Sequence, residues 1–181
     1  MRFCVSLLSL CLLLAACSES TGPHGFTISD AQVDQGRNGL QVRLKQQLLL
    51  SPEAVEALEN GVPLNITLHT EVRANDTLAL VADQIDNYEI RYLPLSQHYQ
   101  LSSSNPESVR TFPRLRHVTN ALSSLQVPLV DLPLTPGRYT LRSRTYLNHS
   151  GLPAPMQLPA ALSGQWHHDS EWSQWQFRIN A

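Results

Sequence analysis

The strictest pattern in this chain is a period of two. Along residues 63–73, Leu64, Ile66, Leu68, Thr70 and Val72 fall on one side, and Asn65, Thr67, His69, Glu71 and Arg73 on the other. Along residues 138–147, Tyr139, Leu141, Ser143, Thr145 and Leu147 alternate with Arg138, Thr140, Arg142, Arg144 and Tyr146. Successive side chains of a strand point to opposite faces, so each stretch makes a strand with one buried face and one wet face. A sheet that faces water on one side is an antiparallel sheet.

Shorter segments repeat the pattern. Residues 26–33 and the alternating Leu40, Val42 and Leu44 are parted by turn residues 35–39 and make a hairpin. Further strands are expected from 77 to 82, through Tyr88, Ile90 and Tyr92, through Tyr99 and Leu101, and over 172–179. Two segments change to helical spacing. Residues 51–60 open with Ser51 as N-cap, Pro52 in the first turn and Glu53 near the positive end of the dipole, and they stop at Gly61. Val55 and Leu58 supply a narrow buried stripe there. Residues 111–125 place Leu115, Val118, Leu122 and Leu125 on one face, with Pro113 in the first turn. Residues 128–137 read as a proline-rich loop, and Pro153, Pro155 and Pro159 are expected to interrupt any regular element. The sum is a mainly β fold with short helices, an antiparallel β-sandwich-like domain, with a partly open β-barrel as the alternative.

Ahead of that domain stands a leader. Arg2 is followed by an apolar run from residue 3 to 14 and then by Leu14-Ala15-Ala16-Cys17. A positive start, an apolar stretch and a small-residue cleavage site mark a secretory signal, and the run is shorter than the ~20 residues of a spanning helix. Leu-Ala-Ala-Cys looks like the bacterial lipobox, whose cysteine is lipidated after the peptide before it is removed. One acyl chain anchors marginally, whereas the two or three that such a cysteine carries anchor stably. Residues 1–16 are therefore read as a lipoprotein signal peptide, 17–25 as lipidated Cys17 and a polar tether, and 26–181 as one β-rich domain. Ser18, where an aspartate would favour retention at the inner membrane, points to the outer membrane, on its periplasmic side. The plain alternative is an ordinary cleaved signal with a chance cysteine.

Composition narrows the chemistry. Cys4 and Cys11 leave with the leader and Cys17 is capped, so the mature chain has no thiol for a disulfide, a nucleophile or a zinc site. With 13 basic and 15 acidic residues in the full chain, nothing suggests a nucleic-acid binder. Lys45 is the only lysine, so the other cations are arginines, the better bidentate partners for carboxylate and phosphate. Sequons at Asn65, Asn75 and Asn148 would matter in a eukaryotic secreted protein, and the lipobox argues against that setting.

From Ser51 to Phe177 the chain resembles an uncharacterised family of exported, proline-rich proteobacterial proteins, the domain of unknown function 4390. The resemblance is carried by Ser51-Pro52-Glu53-Ala54-Val55-Glu56-Ala57-Leu58 with Gly61-Val62-Pro63-Leu64, by Tyr88-Glu89-Ile90-Arg91-Tyr92 and Tyr99-Gln100-Leu101, and by Leu152-Pro153-Ala154-Pro155-Met156-Gln157-Leu158 with Trp166, Ser170, Trp172 and Phe177. It implies no activity, cofactor or catalytic residue. Between Glu71 and Asp86 the family is expected to be rich in tryptophan, and this chain has none there.

No phosphate-binding glycine loop, nucleophile elbow or HExxH occurs, and no cofactor motif. His167-His168-Asp169 offers metal-ligand types, but neighbours on a strand point to opposite faces, so a polar loop is the plainer reading. Arg138, Arg142 and Arg144 share one strand face and suit phosphate or carboxylate groups, or else acids of the same chain. Trp166 and Trp172 suit sugar stacking or a partner, or else the core. The chain is thus expected to be a non-enzymatic envelope module that binds a protein partner or supports an assembly. Binding of an envelope glycan or anionic lipid through these arginines and tryptophans is the alternative, and a hydrolase stands third.

Overall fold

A computed structural model describes residues 24–36, 39–104, 108–130, 132 and 134–180. The leader, Cys17 and most of the tether lie outside the described residues, as do turn residues Arg37 and Asn38. β1 (Gly25–Gly36) and β2 (Gly39–Leu49) form the expected hairpin, and β7 (Ser124–Val130) pairs with β2 to complete a three-stranded sheet in the order β1-β2-β7. The second sheet has six strands. They are β3 (Leu64–Ala74), β4 (Leu80–Leu93), β5 (His98–Ser103), β6 (Arg110–Phe112), β8 (Gly137–Leu147) and β9 (Ser173–Ile179), in the order β6-β5-β4-β3-β8-β9. Every pairing is antiparallel. The two sheets stay separate, which makes the fold sandwich-like and not a closed barrel.

The core lies between the inward faces that the alternation marks. Leu40, Val42 and Leu44 of β2 and Leu125, Val127 and Leu129 of β7 join Leu64, Ile66, Leu68 and Val72 of β3 and Tyr139 and Leu141 of β8. Where β2 and β7 approach, Gly39 is obligatory. Its φ is 147°, and a Cβ there would stand 2.0 Å from the Leu129 carbonyl oxygen. α1 (Pro52–Glu59) is capped as expected, with the Ala54 amide donating to Ser51 Oγ at 3.2 Å and Gly61 at a φ of 90°. Its buried residues are Ala54 and Leu58, with Val55 only partly covered. The pair one turn apart (i, i+4) faces the core in place of the expected Val55 and Leu58.

Five further expectations are corrected. The strands at 77–82 and 88–92 are one strand, β4, because the polar residues between them keep register with β3 from Gln84 opposite Thr70 to Ile90 opposite Leu64. The helix expected over 111–125 is shorter: β6 ends at Phe112, Pro113 precedes α2 (Leu115–Leu122), and Leu125 starts the period-two burial of β7. Pro128 lies inside β7 instead of opening a loop, which an edge strand tolerates because its outward N–H needs no partner. Pro153, Pro155 and Pro159 do not prevent a helix. α3 (Ala154–Leu162) starts on Pro153, holds Pro155 in the first turn where no amide bond is lost, and forgoes one bond at Pro159. Finally, the outer face of β3 is not wholly wet. Thr67 and Glu71 are buried, because β3 is flanked on both sides and Tyr146, Asn87, Arg142 and Asp83 lie opposite them.

Candidate functional site

β3 and β8 run side by side, so their outward residues form one surface. The register sets Glu71 opposite Arg142 and His69 opposite Arg144. The Glu71 carboxylate accepts from Arg73 Nε at 3.0 Å and from Arg142 Nη1 at 3.2 Å. The Arg142 guanidinium lies over the Trp172 ring, 4.6 Å from its centroid, and the edge of His69 meets the same ring at 5.0 Å. His69 Nε2 in turn lies 2.6 Å from Asp83 Oδ1 on β4. Trp172 is thus held between a cation and an imidazole.

The turn that delivers Trp172 is tied to β8. Ser170 donates its amide to the Thr145 carbonyl, and the Thr145 amide donates to Ser170 Oγ, both at 2.9 Å. Glu171 takes a φ of 56°, left-handed backbone that costs a non-glycine residue about 1 kcal/mol or more, and its amide donates to Asp169 Oδ1 at 2.8 Å. Asp169 also receives Arg144, whose Nε donates to both carboxylate oxygens at 2.8 and 3.0 Å and whose Nη2 donates to Oδ2. Burial pushes the Asp169 carboxyl up, but the Arg144 hydrogen bonds, the Glu171 amide and the nearby positive charge outweigh it and hold the carboxyl below its usual value. The same hydrogen bonds raise Arg144. The Arg144 guanidinium stands 5.1 Å from the Tyr146 ring centroid. Hollows of about 320 Å³ flank it, one toward Trp172 and Glu171, the other toward Tyr146, Asn148 and His149.

The sequence candidates therefore separate. Arg142, Arg144 and Trp172 come together. Arg138 does not join them: it is exposed at the far end of β8, opposite Arg178 of β9, in a hollow of about 500 Å³ that Asn75 and Asp76 help to line. Trp166 leaves the surface altogether. The 3-10 turn Gly164–Trp166 rolls it into the core, where it is 8% exposed. His168 is buried and His167 exposed, as opposite-pointing neighbours should be, and among the described residues no group of three or more His, Cys, Asp or Glu could hold a metal. Cys17 lies outside the described residues. Glu71 and His69 were not among the candidates, and Asp169 was weighed only beside His167 and His168 as a metal-ligand type. Glu71 and His69 shared the Arg73 face in the alternation, which was the available signal.

The family model of the Domain of unknown function (DUF4390) matches residues 24–176, from the first described residue nearly to the end of β9. This chain belongs to the DUF4390 family. The match spans both sheets, so the paired surface on β3 and β8 lies inside the DUF4390 domain and not on an addition to it. No curated protein and no solved structure matches the chain.

Chemically, the arrangement offers preset side chains more than free charge. Arg142 and Arg144 already hold carboxylates, so a loose anion would have to displace Glu71 or Asp169. A partner that brings apolar area and hydrogen-bond acceptors needs no such exchange.

Proposed function

We propose that this chain is an envelope lipoprotein, exported by residues 1–16 and held on the periplasmic side through lipid on Cys17, in the outer membrane as Ser18 favours. Its DUF4390 domain is a non-enzymatic module that binds a protein partner through the outer face of β3 and β8. The observation that supports this reading is the locking of Trp172, Arg142, Arg144 and Tyr146 by one another and by Glu71 and Asp169. Trp, Tyr and Arg dominate binding hot spots, and side chains fixed before contact lose little entropy on binding. Crosslinking in native envelopes tests it, with wild type beside Trp172→Ala. A partner captured by the wild type and lost from the folded variant supports the module. Identical capture by both, or capture by neither, removes it.

Arg138 and Arg178 favour a second reading, binding of phosphate or carboxylate groups of an envelope glycan or anionic lipid. They face each other across β8 and β9, and neither has an acidic partner among the described residues. Like charges directly opposite are unfavourable until an anion joins them. A titration with inorganic phosphate that moves the Arg138 and Arg178 side-chain resonances carries this reading, and unmoved resonances end it.

A further inference from the structure

α3 is an apolar helix with little to cover it. Its nine residues include no Asp, Glu, Lys or Arg, and only Ala160 is buried. Leu158 is 70% and Leu162 81% exposed, and Pro155, Pro159 and Ala161 are exposed beside them. Contiguous apolar surface of this kind marks a contact with a protein or a membrane. Its place in the fold decides between them. His24, the first described residue, donates from Nε2 to the Gly164 carbonyl at 3.0 Å, two residues beyond the end of α3. Six residues lie between Cys17 and His24, and the seven steps of chain reach at most about 25 Å. The lipid anchor therefore joins the domain at the same corner that presents Leu158 and Leu162.

We infer that α3 docks on the bilayer surface, with Leu158 and Leu162 seated at the boundary between headgroups and acyl chains. The inference rests on the Cys17 anchor of the proposed function. A nine-residue helix without cationic residues binds a bilayer weakly by itself. A short tether makes its contact intramolecular, at an effective concentration on the order of millimolar. Docking then sets the orientation of the domain. β3 runs from Asn65, whose carbonyl accepts the Asn148 amide near α3, to Ala74 at the far turn. At ~3.3 Å per residue Leu78 stands roughly 30 Å further out.

The test uses the lipidated full chain in vesicles of phosphatidylethanolamine and phosphatidylglycerol. Leu158→Cys and Leu78→Cys each carry one environment-sensitive fluorophore, and some of the lipid carries a doxyl quencher near the headgroup. Leu78 serves as the control because it is 73% exposed. Docking predicts a blue shift and quenching at position 158 and neither at position 78. A vesicle-bound chain whose label at 158 stays in water overturns docking and leaves the anchor intact. A blue shift at 158 without quenching means that a second copy covers the helix, and also overturns it. A chain left in the supernatant overturns the anchor, and docking with it.

Discussion

The backbone amide of Ser51 donates to Nε2 of His168 at 2.9 Å, joining the start of α1 to the segment before β9. A ring nitrogen that accepts must be unprotonated, and the His168 ring is 2% exposed, tilted against Phe26 and His24 with centroids 5.3 Å away. Burial, with the nearby His24, His149 and His167, lowers its pKa to about 4. Between pH 6.5 and about 4 the unfolded chain takes up a proton that the folded ring refuses. The stability tied to the neutral ring is therefore complete above about pH 6.5 and is lost as the pH falls toward 4, by roughly 3 kcal/mol in all. Urea unfolding at pH 7.5 and 4.5 measures it. His168→Gln keeps an acceptor for Ser51 but does not titrate, so its stability changes less over that interval. An equal change in both proteins would show that His168 is not the group responsible.

The carboxylate of Glu71 serves two arginines from a side chain that is 11% exposed, against 27% for Arg142 and 36% for Arg73. Glu71→Ala leaves Arg142 half-buried without a counter-charge and frees it to leave the Trp172 ring. Full burial would make that loss larger, and solvent screening of the arginines reduces it to about 1–2 kcal/mol. Arg43 and Asp34 supply the contrast, a pair 2.6 Å apart but about half exposed on both sides. Asp34→Asn should change stability by less than about 0.5 kcal/mol. Similar losses in the two variants would refute the difference in burial as the cause.

The alternation of β3 and β8 placed His69, Glu71, Arg73, Arg142 and Arg144 on their faces before any coordinate did. It could not pair them, because pairing needs register, and Glu71 and Arg142 lie 71 residues apart. The same limit hid β4. Its middle, from Asp83 to Asn87, is polar except for the exposed Ile85 and reads as a break until β3 is laid beside it. Trp166 and Trp172 look alike in sequence. A 3-10 turn sends one inward, and the left-handed Glu171 sends the other onto the sheet. α3 was missed because proline counts against a helix only where an amide is needed, and two of its three prolines sit where none is.

Thr70 and Ser143 face each other across β3 and β8 on the core side, both fully buried, and neither hydroxyl has a partner among the described residues. A buried polar group without a hydrogen bond costs about 1–3 kcal/mol in desolvation. Thr70→Val keeps the β-branched shape, and Ser143→Ala removes one atom. Each should raise stability by about 1 kcal/mol, seen as a higher urea midpoint at unchanged slope. A fall in midpoint for both would mean that the hydroxyls are satisfied in solution.

Gln46 is the opposite case, a polar residue in the inward row of β2 whose amide nitrogen and oxygen both have partners. Its Nε2 donates to the Leu122 carbonyl at the end of α2 at 2.8 Å, and its Oε1 accepts from Thr145 Oγ1 of β8 at 2.7 Å. One side chain, 5% exposed, thus joins both sheets and a helix. Gln46→Leu strands the Leu122 carbonyl and the Thr145 hydroxyl together and should cost about 2–3 kcal/mol. Thr145→Val strands only Gln46 Oε1 and should cost about 1–2 kcal/mol. The double variant leaves a single stranded group, the Leu122 carbonyl. It should therefore lose about 2 kcal/mol less than the two separate losses combined. A double-mutant cycle from urea unfolding reads this coupling directly. Strict additivity would mean that Gln46 and Thr145 each turn to other partners, and that the sheets are held together by apolar packing alone.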